Sequence, residues 1–131
     1  MNRGPATAID LPGRRLWVFD LDGTLTVPCI DFARIRAELG VPAGRLILEH
    51  LAAQPPEHAE RLTLRLEALE GEYTALARPA DGVRALLEQL AARGAALAIL
   101  TRNTRENARR SLAAIGVADL FEDRDVLGRH E

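Results

Sequence analysis

Asp20 and Asp22 are the residues of this sequence whose type and spacing point most directly to chemistry. Side chains two positions apart on an extended chain point to the same side, so both carboxylates can face one substrate. One carboxylate can attack a phosphoryl group and form an aspartyl-phosphate, while the other handles protons. Because a phosphoryl group is strongly anionic, a carboxylate needs a cation in order to approach it. Mg²⁺ prefers hard oxygen ligands and is therefore the expected cofactor.

The residues that follow the two aspartates favour phosphate binding. Gly23 allows a sharp backbone turn that exposes N–H groups to phosphate oxygens. We expect Gly23 and its neighbour Thr24 to contact the phosphate or the substrate. A calcium-binding loop is a competing interpretation of the Asp-x-Asp-Gly sequence. The bulky apolar run that directly precedes Asp20 favours the catalytic interpretation over this one.

A second polar group, Thr101-Arg102-Asn103, follows the apolar run of residues 96–100. Thr101 supplies a hydroxyl, and Asn103 or Thr104 is suited to cap a helix that begins there. A hydroxyl beside the N-terminal amides of a helix is a phosphate-binding arrangement. We therefore expect Thr101 to bind phosphate. Arg102 and Asn103 are expected to lie at the edge of the same site.

The order of predicted elements places both polar groups at the ends of strands. Residues 16–19 form a short, bulky apolar run that is typical of a strand buried on both faces. Alternation of strands and helices indicates an α/β fold with a parallel sheet and crossover helices. In open sheets of this kind, ligands bind beyond the carboxyl ends of the strands. The predicted strands are residues 16–19, 96–100 and a weak third around Phe121 and Val126, and the predicted helices are residues 31–39, 44–53, 57–77, 83–93 and 104–115.

The composition excludes several other classes of protein. The 131 residues are 47% hydrophobic and 27% charged, with a net charge of −2, as in ordinary globular proteins. That charge gives no basic surface for nucleic acid and no polybasic patch for a membrane. A single cysteine, Cys29, cannot form an internal disulfide, so a reducing cytoplasm is expected. We expect a monomer or a homodimer that acts on a small phosphorylated metabolite.

The residues 20–26 resemble the first motif of the haloacid dehalogenase-like superfamily, Asp-x-Asp-Gly-Thr-Leu-Thr, which follows an apolar strand in that family. Thr101, at the end of a second apolar run, is similar to the second motif. Residues 78–83 resemble the segment that leads to this motif in phosphoglycolate phosphatase-like members. The resemblance implies a Rossmann-like core of residues 1–27 and 79–131. It also implies an inserted α-helical cap of residues 28–78, of the kind that closes over small substrates.

The same resemblance implies a role for each site residue. Asp20 would be the nucleophile and a Mg²⁺ ligand. Asp22 would protonate the leaving group and then activate water, while its backbone carbonyl also binds Mg²⁺. Thr101 would hold the transferring phosphoryl group, and Asn103 would add a polar contact.

Two further motifs of the superfamily are not recognisable in this sequence. The third motif is a Lys or Arg that neutralises charge, but all 17 basic residues here are Arg. The fourth is an acidic cluster that completes the Mg²⁺ shell. Arg129 is a candidate for the third motif, although we expect the chain to be the N-terminal part of a longer hydrolase. The acidic residues near Phe121 are expected to form a solvated loop, namely Asp119, Glu122, Asp123 and Asp125.

The leading functional hypothesis is therefore a Mg²⁺-dependent phosphatase of phosphoglycolate phosphatase-like type. It would hydrolyse a small phosphate monoester through an aspartyl-phosphate intermediate. A sugar phosphomutase is an alternative because its first motif is nearly the same. A truncated, non-catalytic fragment that acts at most as a binding or interaction domain is the alternative from a different class. Four arginines of the predicted cap are candidates for gripping an anionic substrate, namely Arg34, Arg36, Arg45 and Arg65.

Overall fold

A computed structural model describes residues 15–130 of the chain as an α/β structure with three strands and five α-helices. Two short 3-10 turns, Ala118–Leu120 and Asp123–Asp125, precede the last strand. None of the helices among the described residues is long and apolar enough to cross a membrane. The elements in chain order are β1 (Leu16–Phe19), α1 (Phe32–Leu39), α2 (Ile47–Ala52), α3 (Pro56–Thr74), α4 (Val83–Ala92), β2 (Ala96–Thr104), α5 (Arg105–Ala114) and β3 (Val126–Arg129).

The sheet has the order β1-β2-β3 and both pairings are parallel, which confirms the predicted α/β class. Phe19 lies opposite Ile99, and Ile99 lies opposite Val126, so the three strands share one row of side chains. The register between β2 and β3 shifts between Leu100 and Thr104. The carboxyl ends of all three strands therefore meet at one edge of the sheet.

Capping residues explain where two of the predicted helices begin or end. The Asp31 side chain accepts a hydrogen bond from the Arg34 N–H and begins α1, which ends at Gly40 in the left-handed conformation. Thr104, rather than Asn103, caps α5 by accepting from the Asn107 N–H. The observed α2 is shorter than the predicted helix and begins at Ile47.

Two separate hydrophobic clusters form the interior of the described region. The first lies between one face of the sheet and helices α4 and α5, with Leu87, Ile99 and Leu112 at its centre. The second joins α1, α2 and α3 through Ile35, Leu51 and Leu69 among others. The chain passes from the first cluster to the second and back at two adjacent points. There the Val27 N–H donates to the Arg78 carbonyl at 2.9 Å.

The prediction that β1 is buried on both faces is wrong for the described residues. Leu16 and Val18 are 60% and 56% exposed, and Leu100 on the same face of the sheet is 58% exposed. Trp17 and Phe19 instead pack against the first cluster. The reason is that α4 and α5 both pack on one face, and no element among residues 15–130 covers the other.

The two remaining strands also differ from their predicted bounds. β2 continues through Thr101 to Thr104, so the second polar group lies within the strand rather than after it. Pairing of Thr104 with Arg129 holds this extension in the sheet. β3 begins at Val126, and Phe121 lies before it as part of the first hydrophobic cluster.

Gly128 allows β3 to lie directly against the end of β2, and we predict that Gly128→Ala destabilises the protein. An added Cβ would clash with the Arg105 backbone nitrogen and would lie 2.8 Å from the Asn103 carbonyl oxygen. These neighbours are backbone atoms that cannot move aside locally. We expect a loss of about 3 kcal/mol in the free energy of unfolding, measured by urea denaturation.

Gly71→Ala is the matched control for this prediction. Gly71 lies within α3, and its added Cβ would meet the Asn107 side chain at 3.5 Å, an ordinary contact. Alanine also favours the helix by about 0.5–1 kcal/mol over glycine. We expect no loss of stability from Gly71→Ala, and equal losses in the two variants would contradict the account of Gly128.

Candidate active site

Asp20 and Asp22 lie at the carboxyl end of β1, where the chain enters a tight turn. The Leu21 carbonyl accepts hydrogen bonds from the N–H groups of the three residues 24–26, at 3.0–3.2 Å. Gly23 at the centre of the turn has a φ of +79°, which glycine adopts without a steric cost. The turn therefore presents both aspartates beyond the end of the strand.

Gly23 differs from the sequence expectation in one respect. Its N–H donates to Thr26 Oγ1 at 3.1 Å, so this group is engaged within the turn. Thr24 instead directs its hydroxyl at the first aspartate, since Oγ1 donates to Asp20 Oδ2 at 3.4 Å. In this conformation the turn offers the Thr24 hydroxyl, rather than the Gly23 N–H, beside the predicted nucleophile.

The end of β2 supplies the other side of the site. Thr101 and Asn103 are both buried, and the Asn103 N–H donates to Thr101 Oγ1 at 3.1 Å. Asn103 Nδ2 donates to Asp22 Oδ2 at 3.5 Å, which joins the ends of β1 and β2. Arg102 between them is exposed. The structure thus brings Asp22, Thr101 and Asn103 together, while the roles predicted for them remain predictions.

Asn107 is a buried polar residue that the sequence reasoning missed. Its Nδ2 donates to Asn103 Oδ1 at 3.1 Å and lies 3.4 Å from the Glu67 carbonyl of α3. Asn103 Oδ1 also accepts from the Thr104 N–H at 2.8 Å, so the Asn103 amide is oriented with Nδ2 toward Asp22. Its burial could have been inferred from the sequence, because Asn107 lies on the same face of the predicted helix as the apolar residues Ala108 and Leu112.

The local environment raises the pKa of the Asp22 carboxyl. Burial is the largest cause, the hydrogen bond from Asn103 opposes it, and the nearby charge of Asp20 adds to it. Asp22 is half-buried, whereas Asp20 is exposed. Two carboxyl groups in different environments are thus placed side by side, and the more buried of the two has the raised pKa.

Arg129 enters the same region from the end of β3 but is paired with a carboxylate. Its Nη2 lies 2.8 Å from Glu70 Oε1 of α3, and its Nη1 donates to the Arg102 carbonyl at 3.1 Å. Burial raises the pKa of Glu70, against the effect of Arg129, and the Asp22 charge adds to the rise. Glu70 therefore lies near the predicted acid, and it offsets the charge of the arginine considered for the third motif.

Three of the four acidic residues around Phe121 are exposed and form ion pairs with arginines, namely Asp119, Glu122 and Asp123, whereas Asp125 is half-buried. Asp119 pairs with Arg84 at 3.2 Å, and Asp123 pairs with Arg109 at 3.3 Å. Across residues 15–130 no group of three or more His, Cys, Asp or Glu side chains is arranged to hold a metal. Mg²⁺ would therefore find here the Asp20 carboxylate and the Asp22 backbone carbonyl, which are only part of its usual oxygen shell.

Comparison with known protein families identifies the chain. A family model described as haloacid dehalogenase-like hydrolase matches residues 34–126. The chain belongs to the haloacid dehalogenase-like hydrolases. The matched range begins after residues 20–26, so the family assignment and the first motif are independent observations. No curated protein is similar enough to this sequence to count as a match.

Solved structures of two other proteins share the fold of this haloacid dehalogenase-like chain. A predicted phosphoglycolate phosphatase from Haemophilus somnus 129PT superimposes with a TM-score of 0.63 at 21% identity, over 89% of this chain and 63% of its own. A haloacid dehalogenase-like family hydrolase from Streptococcus pneumoniae gives 0.59 at 20% identity, over 88% of this chain and 61% of its own. The chain therefore spans less than two thirds of either structure.

We predict that replacing Glu70 destabilises this haloacid dehalogenase-like chain through Arg129. The side chains of Glu70 and Arg129 are 12% and 10% exposed, so Glu70→Leu leaves a nearly buried guanidinium without its carboxylate. We expect a loss of about 3 kcal/mol in the free energy of unfolding, measured by urea denaturation at pH 7. Glu70→Gln keeps an acceptor oxygen and should cost less.

Glu67→Leu is the control for this effect. Glu67 also faces Arg129, but at 3.9 Å and with 32% of its side chain exposed. Ion pairs with that exposure contribute about 0–1 kcal/mol, so a small change is expected. Losses of the same size at both positions would contradict the assignment of the buried pair to Glu70.

Proposed function

We propose that this chain provides the nucleophile and phosphate-binding part of a Mg²⁺-dependent phosphatase that hydrolyses a small phosphate monoester. The observation that carries the proposal is the contact between Asp22 and Asn103. It joins the ends of β1 and β2, so that the two aspartates lie on one side and Thr101 on the other. A phosphoryl group between them would meet a carboxylate nucleophile, a proton donor and a hydroxyl.

The proposed reaction has two steps that use the two aspartates differently. Asp20 attacks phosphorus, a bond forms from its carboxylate oxygen, and the bond from phosphorus to the ester oxygen breaks. Asp22, whose pKa is raised, gives its proton to the departing oxygen. Asp22 then takes a proton from a water molecule that attacks the aspartyl-phosphate, which releases inorganic phosphate and regenerates Asp20.

Other residues would orient the phosphoryl group and the proton donor. Thr101 Oγ1 already accepts the Asn103 N–H, so its hydroxyl proton is free to be donated to a phosphoryl oxygen. Asn103, fixed by Asn107, holds the Asp22 carboxyl in one orientation. These contacts support positioning as the main contribution of the end of β2.

Mg²⁺ is the proposed cofactor, and the Asp20 carboxylate with the Asp22 carbonyl would hold it. When bound, the cation would offset the charge of the phosphoryl group and of the nucleophile. Because the described residues supply only part of a Mg²⁺ shell, we propose that further ligands come from outside residues 15–130. The same observation favours the alternative that this chain alone is a non-catalytic fragment.

Residues 28–78 are proposed to act as the cap over the site. Their helices form a hydrophobic cluster of their own, and the segment leaves and re-enters the core where Thr26 pairs with Pro79. The similar Haemophilus protein is a predicted phosphoglycolate phosphatase, so phosphoglycolate is a suitable test substrate. A cytoplasmic monomer or homodimer that binds neither nucleic acid nor membranes remains the prediction for the protein.

The test is release of inorganic phosphate from generic phosphate esters in the presence of Mg²⁺. We predict that Asp20→Asn lowers the rate by about 1,000-fold or more, since the nucleophile is lost. Asp123→Asn is the control, because this exposed carboxylate pairs only with Arg109 among the contacts described for it. Equal rates in Asp20→Asn and the parent would rule out the nucleophile, and no release by the parent would favour the non-catalytic alternative.

A further inference from the structure

A cleft of about 370 Å³ lies between the three helices α1, α2 and α3 and the ends of β2 and β3. It is about large enough for a small organic group. Two buried residues of the second hydrophobic cluster, Ile35 and Leu66, form part of its wall. The apolar side chains that line it are Phe32, Ile35, Leu46, Ile47, Leu48 and Leu66.

The exposed part of this lining is unusual for a protein surface. Phe32 is 57% exposed, Leu46 is 50% exposed and Leu48 is 36% exposed, and all three line the same cleft. Single exposed apolar residues are common, whereas a concave group of them indicates a place where an apolar ligand is bound. The shape of the lining therefore favours an apolar occupant.

The cleft lies next to the candidate active site. Arg102, which lines it, directly follows Thr101 in β2. Glu70 and Arg129 line it as well, and Glu70 is close enough to Asp22 for the Asp22 charge to raise its pKa. A phosphate ester held at Thr101 could thus extend its organic group along the cleft.

The charges of the lining leave one cation without compensation. Arg129 is paired with Glu70, and by count the one further carboxylate of the lining, Glu49, offsets the charge of Arg36. The guanidinium of Arg36 donates to the Arg45 carbonyl and is held there. Arg102 is therefore the cation of this lining left without a carboxylate, and an ester whose phosphate takes it would leave no cation for a second anionic group.

We propose that the cleft binds an uncharged, apolar organic group of a phosphate monoester, such as an aryl or branched alkyl group. A short ester with a second carboxylate, phosphoglycolate among them, would be bound less well. The proposal rests on the proposed function in one point, namely that the phosphate end of the ester occupies the site beside Thr101. The organic end is recognised by shape and by burial of apolar surface.

Phosphonates that cannot be hydrolysed separate this proposal from the question of activity. Phenylphosphonate, methylphosphonate and phosphonoacetate are titrated with Mg²⁺ into the full 131-residue chain, and methyl resonances of Ile47 and Leu48 are followed by NMR. We expect phenylphosphonate to bind about 10-fold or more tightly than methylphosphonate, because the ring leaves water. Phosphonoacetate should gain nothing over methylphosphonate.

Two variants assign the preference to the cleft. Leu48→Glu places a charge in the lining at a partly exposed position. It should lower the affinity for phenylphosphonate to about the affinity for methylphosphonate. Leu64→Glu is the control, since Leu64 is 60% exposed on α3 and is not part of the cleft lining. The preference should survive in this control.

Failure of the cleft proposal and failure of the phosphatase proposal give different results. Equal binding of the three phosphonates, tightest binding of phosphonoacetate, no binding at all, or a preference that Leu48→Glu leaves intact would each overturn the cleft proposal. Failure of the phosphatase proposal would appear differently, as absence of phosphate release from every ester while the phenylphosphonate preference and its loss in Leu48→Glu are retained.

Discussion

Parallel pairing of β1 with β2 is the constraint on which the candidate site depends. Phe19 lies opposite Ile99, and this register sets the turn with Asp20 and Asp22 beside Thr101 and Asn103. The side-chain period of a strand is two residues, so a slip by one would turn Thr101 and Asn103 away from Asp22. Burial of Phe19 and Ile99 against α4 and α5 makes that slip unfavourable. The packing of the first hydrophobic cluster is therefore what positions the polar groups.

A chain of amide hydrogen bonds carries this positioning from the core to the helical segment. Asp22 is contacted by Asn103, Asn103 by Asn107, and Asn107 lies 3.4 Å from the Glu67 carbonyl in α3. Asn103 and Asn107 are each 4% exposed. An unpaired amide at that depth would cost about 1–3 kcal/mol, so the members of the chain depend on one another. The orientation of Asp22 is thus coupled to where α3 lies.

Local signals in the sequence were sufficient to predict the order of the elements and the residues of the two polar groups. Apolar runs before Asp20 and Thr101, Asp31 as a cap and Gly40 as a stop all act over a few residues. The exposed face of β1 was not predictable, because residues 16–19 have the same composition whether one face or both are covered. The length of β2 was also missed, since its polar end is held by pairing with the distant Arg129.

The contact between Glu70 and Arg129 shows why the sequence could not assign Arg129. Nothing in the local sequence indicates that a residue 59 positions away supplies its partner. Burial raises the pKa of Glu70, so the ionised carboxylate is disfavoured by its surroundings and the pair adds little stability of its own. Arg129 nevertheless has a second acceptor in the Arg102 carbonyl, and the fork of its guanidinium fits both at once. The intact pair therefore fixes the position of α3 against the ends of β2 and β3 more than it adds net stability, and a large loss follows only when one partner is removed alone.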